Sequence, residues 1–304
     1  MILWLSIAIV LALATIALSV LAGRHARRLL SHSRNSRQRR YAENLDSHPR
    51  QILQQHKLDT RLILLTSVDG FQIHSWWQPA TNGATILLLH GYKMDCGEMI
   101  PAAAMLTRHG FGVLLVNIRA HGDSDGEQIR FGAVEWQDIA AGVEFILEQS
   151  PHERIGLLGN SMGGALSLCY AGRDERIAAV AAQSPYASVR HSLKRGVKRF
   201  TGLPAFPFVP LIRLHSRKVV DLDAQDISPL EMIRAIAPRP ILLMMGGCDS
   251  VVEPSGIFAL QQVAGNNCEL WYEPELEHVA FQTERAEEFE RRLVAFFSHH
   301  LLEM

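Results

Sequence analysis

Short apolar runs alternate with helical segments over most of this 304-residue chain. The runs have the length of β-strands and are apolar throughout, not at every second position, which indicates strands that are buried on both faces. Such strands, separated by helices, are typical of a mostly parallel sheet with helices on both sides. The predicted strands are 85–91, 111–119, 154–160, 176–184, 239–247 and 268–274. The predicted helices are 98–109, 136–148, 165–171, 257–263 and 284–299.

A short polar turn separates two apolar stretches just before this alternation begins. Residues 61–79, RLILLTSVDGFQIHSWWQP, are predicted to form two strands joined at Asp69-Gly70, because Asp-Gly between such stretches is a hairpin signal. We therefore expect antiparallel strands at the edge of a sheet of about eight strands. The folded domain is expected to cover residues 58–304.

One connection in the alternation is far longer than the usual αβ loop. About fifty residues separate Ser184 from Arg239, and no acidic residue occurs from Pro185 until Asp221. This insertion, at about 186–236, mixes prolines, phenylalanines and basic residues. We predict that it is a short cap over the functional site; the alternative is a packed lid whose charges only face solvent.

The N-terminal stretch Ile2–Ala22 contains no charged side chain. As a helix it would span roughly 30 Å, the thickness of the hydrocarbon core of a bilayer. Seven arginines follow it within residues 24–40, and basic residues stay on the cytoplasmic side of a membrane. We predict a single-pass anchor at 1–23 in the inner or plasma membrane, with a cytoplasmic catalytic domain. A cleaved signal peptide is the alternative, although its positive charge should precede the apolar run.

Charge and cysteine content limit the partners and cofactors. Residues 24–57 are polar and rich in arginine, which predicts a basic juxtamembrane linker beside anionic headgroups. The whole chain balances 30 lysines and arginines against 31 acids, so we expect no nucleic-acid partner. The four cysteines have no CxxC spacing, and we expect neither a metal site nor a disulfide framework. They are Cys96, Cys169, Cys248 and Cys268.

The pentapeptide Gly159-Asn160-Ser161-Met162-Gly163 closes a predicted buried strand and precedes a predicted helix. A G-x-S-x-G sequence between strand and helix presents its serine for nucleophilic attack, because glycines allow the tight turn that exposes the hydroxyl. The alternative is a glycine-rich corner with no chemical role. We predict that Ser161 is a nucleophile.

A serine hydroxyl needs a base to accept its proton, commonly a histidine that a carboxylate orients. Asp249 follows the strand at 239–247, and His278 follows the strand at 268–274. Both therefore lie at carboxyl ends of strands, where sites form in open α/β sheets, and both follow Ser161 in the order acid, then histidine. Asp249 could instead cap a helix. Three other acids lie in the insertion: Asp221, Asp223 and Asp226.

Attack on a carbonyl produces an oxyanion, which two backbone N–H groups usually receive. Met162, the residue after the predicted nucleophile, supplies one of them. His90-Gly91 ends a predicted buried strand and lets the chain turn, so that the N–H of Tyr92 would supply the other. His90 is expected to brace this loop. Such chemistry requires no metal or organic cofactor, and we expect none.

Five motifs together resemble the α/β-hydrolase fold superfamily: HG at 90–91, RAHGDSDG at 119–126, GNSMGG at 159–164, GGCDSVVEP at 246–254 and EHVAF at 277–281. The chain is most similar to its Bem46-like, prolyl-oligopeptidase-like and serine-aminopeptidase-like serine hydrolases. The resemblance implies Ser161 as nucleophile, His278 as general base and then acid, and Asp249 as its orienting carboxylate. Glu277 and Ala120 stand where many relatives have glycine.

These features predict a membrane-anchored serine hydrolase that cleaves carboxylic esters through an acyl-enzyme, of the carboxylesterase or lipase kind. Thioesters and amides are further candidates. The apolar and basic insertion would suit a lipid acyl chain beside an anionic headgroup. The alternatives are a peptidase of the aminopeptidase kind, which would need acidic residues to hold an α-amino group, and a non-catalytic membrane scaffold. The expected partners are a small acyl ester and the membrane.

Overall fold

The computed structural model describes residues 2–32, 37–38, 41, 48–221 and 227–303. Within them, eight strands form one sheet and confirm the predicted strand number and class. The strands are β1 (Arg61–Thr66), β2 (Gln72–Gln78), β3 (Ala84–Leu89), β4 (Gly112–Val116), β5 (Arg154–Asn160), β6 (Ile177–Gln183), β7 (Ile241–Gly246) and β8 (Cys268–Glu273). Their order across the sheet is β1-β2-β4-β3-β5-β6-β7-β8.

The helices of the described residues cover both faces of this sheet. They are α1 (Ile2–Leu30), α2 (Pro49–Gln55), α3 (Ile100–Thr107), α4 (Trp136–Gln149), α5 (Met162–Ala171), α6 (Val189–Thr201), α7 (Ala205–Ser216), α8 (Pro229–Met232), α9 (Ser255–Ala264), α10 (Phe281–Glu284) and α11 (Ala286–Leu301). The predicted final helix, 284–299, is divided by Arg285, whose backbone is not helical (φ −133°, ψ 39°).

The first two strands form the predicted hairpin, with β1 antiparallel to β2 and β2 antiparallel to β4. The strands from β3 to β8 are parallel to one another. Parallel strands end at the same edge of a sheet, and this edge is where open α/β sheets bind ligands. The loops that follow β3, β5, β7 and β8 therefore meet there.

The core has two layers because successive side chains of a strand point to opposite faces. In β3, Leu87 and Leu89 belong to the apolar cluster that includes Ile139 of α4. Ile86 and Leu88 belong to the cluster on the other face, with helices α3 and α11. All six residues of β3 are buried, as an apolar strand between two helical layers requires.

Arg119, in the RAHGDSDG motif, joins the hairpin turn to α4. Its buried guanidinium lies 2.6 Å from a carboxylate oxygen of Asp69 and 2.7 Å from one of Asp138. The hydrogen bonds from Arg119 lower the pKa of Asp69 to about 2. The motif therefore holds the edge hairpin against the rest of the domain.

The turn from β5 to α5 brings backbone into direct contact with backbone. A Cβ at Gly163 would lie 2.1 Å from the carbonyl oxygen of Leu89, and one at Gly159 would lie 2.2 Å from the carbonyl oxygen of Gly163. Neither distance is sterically possible, so these positions require glycine. The contact starts α5 at Met162, three residues before the predicted helix start, because packing outweighs the low helix propensity of glycine.

Helix α1 extends beyond the predicted anchor of residues 1–23. Ser6–Leu30 is long and apolar enough to cross a membrane, by length and composition, as both anchors and signal sequences are. Ala22, Ala26 and Leu30 are buried along one side of the helix. The first two pack against the insertion through Val197 of α6 and two residues of α7, Phe208 and Ile212.

The insertion (residues 186–236) consists mainly of α6 and α7, followed by α8 and a 3₁₀ turn at Ile233–Ile236. Asp223 and Asp226 lie outside the described residues. The boundaries at 23, 57, 186 and 236, and the role of the insertion as a cap, stay predictions.

We expect Gly163→Ala to lower the free energy of unfolding by at least about 2 kcal/mol, because the added methyl group must displace backbone of β3. Thermal unfolding of the full chain in detergent measures this. Gly196→Ala is the matched control: a Cβ at Gly196 meets no atom within 4 Å, and alanine in a helix should be neutral or stabilising by up to about 1 kcal/mol. Equal stability of Gly163→Ala and the natural protein would contradict the backbone contact.

Candidate active site

Three predicted site residues from distant parts of the chain form one hydrogen-bonded series. The hydroxyl oxygen of Ser161 lies 2.9 Å from Nε2 of His278, and Nδ1 of His278 lies 2.6 Å from Oδ2 of Asp249. A carboxylate only accepts, so Nδ1–H donates to Asp249 and Nε2 accepts from the serine. This is the proton arrangement that a serine nucleophile requires.

The carboxylate of Asp249 is buried and held on both oxygens. Its Oδ1 accepts hydrogen bonds from the backbone N–H groups of Val251 and Val252, at 2.8 and 2.7 Å, while Oδ2 faces His278. Arg195 of α6 also donates to the backbone oxygen of Asp249, at 2.7 Å. These bonds fix the carboxylate, so orienting it toward the imidazole requires no further loss of conformational entropy.

Ser161 has a strained backbone, with φ 51° and ψ −112°. Non-glycine residues rarely adopt positive φ, and such strain is typical of functional turns. Backbone hydrogen bonds hold this conformation on both sides. The N–H of Ser161 donates to the backbone oxygen of Gln183 at 2.8 Å, and the backbone oxygen of Ser161 accepts from the N–H of Ala165 at 3.0 Å. The turn therefore directs the side chain away from α5 and toward His278.

The backbone N–H groups of Tyr92 and Met162 donate no hydrogen bond to any other described part of the chain. Met162 is the first residue of α5, where a helix leaves its N–H groups unpaired and the dipole favours negative charge. Tyr92 follows the end of β3. Two unpaired donors beside the serine are what an oxyanion site needs.

His90 braces the loop after β3, as the sequence suggested. Its Nδ1 lies 2.8 Å from the oxygen of Gly91, and its Nε2 accepts from the N–H of Ile118 at 3.2 Å. Complete burial lowers the pKa of His90 to about 4. The ring is therefore neutral near pH 7 and adds no charge to the site.

The carboxyl group of Glu98, which belongs to none of the predicted site motifs, is buried beside the serine. It accepts a hydrogen bond from the N–H of Gly91 at 2.6 Å and lines the same cavity as Ser161 and His278. Burial raises the pKa of Glu98 to about 7. No sequence signal marked it, because a glutamate near the start of a helix is common.

Glu277, one of the two departures from the family pattern, joins two loops of the site. Its carboxylate accepts from the N–H of Ser250 at 3.2 Å, which ties the loop of His278 to the loop of Asp249. The other departure, Ala120, has φ 61°, a conformation that glycine adopts without strain. Neither substitution removes a group from the hydrogen-bonded series.

Arg37, in the predicted linker, is buried against the RAHGDSDG motif. Its guanidinium donates to the backbone oxygens of Gly122, Ala120 and Ser124, at 2.6, 2.8 and 2.8 Å. The bond to Ala120 helps to hold that residue in its strained conformation.

A cavity of about 430 Å³ opens beside Ser161 and His278, a volume within the range of small-molecule sites. Its wall is mainly apolar and comes from three sources: α1, the insertion and the strand-end loops. Representative side chains are Ala26, Leu29, Tyr92, Leu193, Phe200 and Ile212. Arg199 is also on the wall. Such a cavity fits an apolar group next to a reacting centre.

We expect Glu98→Gln to change stability in a pH-dependent way. The folded-state pKa of about 7 exceeds the ordinary value, so the proton on Glu98 stabilises the fold at low pH, and that stability is lost as pH rises from about 4.5 through 7. The glutamine variant cannot ionise. It should match the natural protein at pH 5 and exceed it by about 2 to 3 kcal/mol at pH 8.5.

Thermal unfolding of both proteins in detergent at the two pH values checks this expectation. The glutamine oxygen still accepts from the N–H of Gly91, so the comparison isolates the charge. A stability difference that is the same at pH 5 and pH 8.5 would contradict the burial of an ionisable carboxyl at this position.

Known proteins resemble this chain in sequence and in fold. The chain is 23% identical over 247 residues to the uncharacterized protein YqkD of Bacillus subtilis (strain 168), covering 80% of this chain and 81% of that protein. It is 26% identical over 235 residues to a monoglyceride lipase of Rattus norvegicus, covering 65% and 76%. Among solved structures, the Pyrococcus furiosus esterase Pf2001 superposes with a TM-score of 0.70 at 26% identity, covering 82% and 94%.

The sequence pattern of the family described as "Serine aminopeptidase, S33" matches residues 80–234, just over half of the chain. These residues include the strand-end loop of Tyr92 and the turn of Ser161. The chain therefore belongs to the serine aminopeptidase S33 family and is an α/β-hydrolase of the esterase and peptidase kind.

Proposed function

We propose that this protein is a membrane-anchored serine hydrolase that cleaves carboxylic esters through an acyl-enzyme. The observation that carries the proposal is the continuous hydrogen-bonded series from Ser161 through His278 to Asp249, which opens on an apolar cavity. Thioesters and amides react by the same route and are further candidates.

In the proposed reaction, the hydroxyl oxygen of Ser161 attacks the ester carbonyl while Nε2 of His278 takes the hydroxyl proton. Asp249 stabilises the imidazolium that forms. The N–H groups of Tyr92 and Met162 receive the negative charge on the carbonyl oxygen. His278 then gives its proton to the departing alcohol, and a water molecule, activated by the same imidazole, hydrolyses the acyl-enzyme.

The lining of the cavity favours an ester over a peptide. A peptidase of the aminopeptidase kind needs a carboxylate for the α-amino group of its substrate, and Glu98 is the acid among the described residues that line the cavity. One oxygen of Glu98 already accepts from Gly91, and its raised pKa keeps much of it uncharged near pH 7. The relatives named as an esterase and a monoglyceride lipase agree with ester cleavage.

The membrane part of the proposal rests on α1 and on the arginines that follow its apolar stretch. Helix Ser6–Leu30 has the length and composition of a membrane span. Basic residues behind such a span favour a cytoplasmic catalytic domain. A non-catalytic scaffold would not need the aligned hydroxyl, imidazole and carboxylate.

We expect a fluorophosphonate probe to label the natural protein in detergent and to leave Ser161→Ala unlabelled, because only an activated hydroxyl attacks phosphorus. Ser192→Ala is the matched control: this serine lines the same cavity and is bonded to no histidine among the residues that the structure describes. It should still be labelled. Equal labelling of Ser161→Ala and the natural protein would rule out Ser161 as the nucleophile.

We expect Asp249→Asn to keep the fold and to lower kcat for a p-nitrophenyl ester by about three to four orders of magnitude, because an amide no longer orients and stabilises the imidazole. Asp221→Asn, which alters an exposed acid of the insertion, is the control and should retain activity. Aminoacyl anilides, assayed in parallel, should be poorer substrates than the esters. Full activity of Asp249→Asn would assign the acid to another residue.

A further inference from the structure

The last turns of α1 reach the catalytic cavity. Ala26, Leu29 and Leu30 line it together with Ser161 and His278. They belong to the same continuous helix that has the length and composition of a membrane span. An anchor that only tethers a domain has no need to contact its active site.

Two hydrogen bonds attach this end of α1 to the loop after β3. The hydroxyl of Tyr92 donates to the backbone oxygen of Leu29 at 2.6 Å, and the ammonium of Lys93 donates to that of Arg28 at 2.7 Å. Carbonyl groups in the last turn of a helix have no partner within the helix, so these bonds satisfy them. The same loop carries one of the proposed oxyanion donors, the N–H of Tyr92.

The helix is long enough both to cross a bilayer and to reach the cavity. Its 29 residues extend about 43 Å, whereas the hydrocarbon core takes roughly 30 Å. If the apolar stretch that ends at Ala22 fills the core, Ala26–Leu30 lie about 6 to 12 Å beyond it. The cavity is therefore at the level of the lipid headgroups.

The insertion lies beside the boundary between the hydrocarbon core and the headgroups. Ser19 of the apolar stretch is hydrogen-bonded to Nε2 of His215, near the end of α7, at 3.1 Å. Phe206 and Leu214 of α7 are 82% and 59% exposed, as apolar side chains are when they meet lipid and not water. Helix α6 adds basic residues and no acidic one: Arg190, Lys194, Lys198 and Arg199, besides Arg195, which is bonded to Glu253 and to the backbone of Asp249.

We propose that the end of α1 is a wall of the acyl-binding cavity and determines chain-length specificity, and that the substrate is a single-chain acyl ester which enters from the membrane. This rests on the proposed ester hydrolysis at Ser161. The cavity volume of about 430 Å³ is near the lower end for ligand sites and suits one acyl chain better than two. The acyl chain lies against Leu29 and Ile212 while its ester group faces Ser161.

The test compares chain-length preference in variants of the full chain reconstituted in phosphatidylcholine vesicles. The readout is the ratio of kcat/KM for p-nitrophenyl dodecanoate to that for p-nitrophenyl butanoate. Leu29→Trp fills the cavity and should lower this ratio at least tenfold. Leu29→Ala enlarges the cavity and should raise the ratio, so a folding defect in the tryptophan variant would not hide the effect.

Leu13→Trp is the matched control, since Leu13 is 61% exposed within the apolar stretch and distant from the cavity in the helix. Its ratio should equal that of the natural protein. The proposal is overturned if neither Leu29 variant changes the ratio, or if Leu13→Trp changes it as much as Leu29→Trp does.

Entry from the membrane is tested by diluting p-nitrophenyl dodecanoate with phosphatidylcholine at constant total ester. The rate should fall with the mole fraction of ester in the bilayer; a rate that does not change with this dilution would overturn the entry route.

Fluorophosphonate labelling of every variant distinguishes failure of the proposed hydrolase from failure of the proposed role of α1. Absent labelling of the natural protein refutes the hydrolase itself, whereas normal labelling with unchanged chain-length ratios refutes only the role of α1.

Discussion

The close contact between the start of α5 and the ends of β3 and β5 places the proposed nucleophile, around which the other groups of the site are arranged. At Gly163, backbone touches the backbone of Leu89 with no space for a side chain. This approach bends the chain so sharply that Ser161 adopts a positive φ. Its hydroxyl therefore points away from α5 and toward His278. The same approach also leaves the N–H of Met162, at the start of α5, without a partner in the helix.

The remaining groups reach the serine because the strands are parallel. The ends of β3, β7 and β8 lie at the same edge as the end of β5, so their loops supply Tyr92, Asp249 and His278 to one place. Further contacts then fix these loops. The N–H groups of Val251 and Val252 hold the carboxylate of Asp249, and Glu277 links its loop to that of His278.

The N-terminal segment contributes to the domain as well as preceding it. Leu29 forms part of the cavity wall. Arg37 donates hydrogen bonds to three backbone oxygens in the RAHGDSDG motif. A hydrolase whose cavity wall is built from its own membrane-directed helix would place binding and anchoring in one element. Changes in the helix would then alter the choice of substrate.

The sheet was predictable because its strands are apolar on both faces, a pattern that only a doubly covered parallel sheet buries. The order of Ser161, Asp249 and His278 was predictable because each follows a strand. Glu98 and Arg37 were not, since a single acid or arginine carries no periodic signal and its burial depends on residues far away in the chain. The same holds for the extension of α1, because Gly23 and the arginines after it suggested a polar linker.

The sequence alone determined the fold class, the sharp turn at Ser161 and the strand ends that carry its partners, because these follow from local periodicity and from glycine at positions without space for a side chain. Only the tertiary structure decided what surrounds them. The distance from His278 to Ser161, the burial that raises the pKa of Glu98 and the contact of Leu29 with the cavity all depend on packing between segments distant in the chain. Packing of that kind leaves no pattern within any one of those segments.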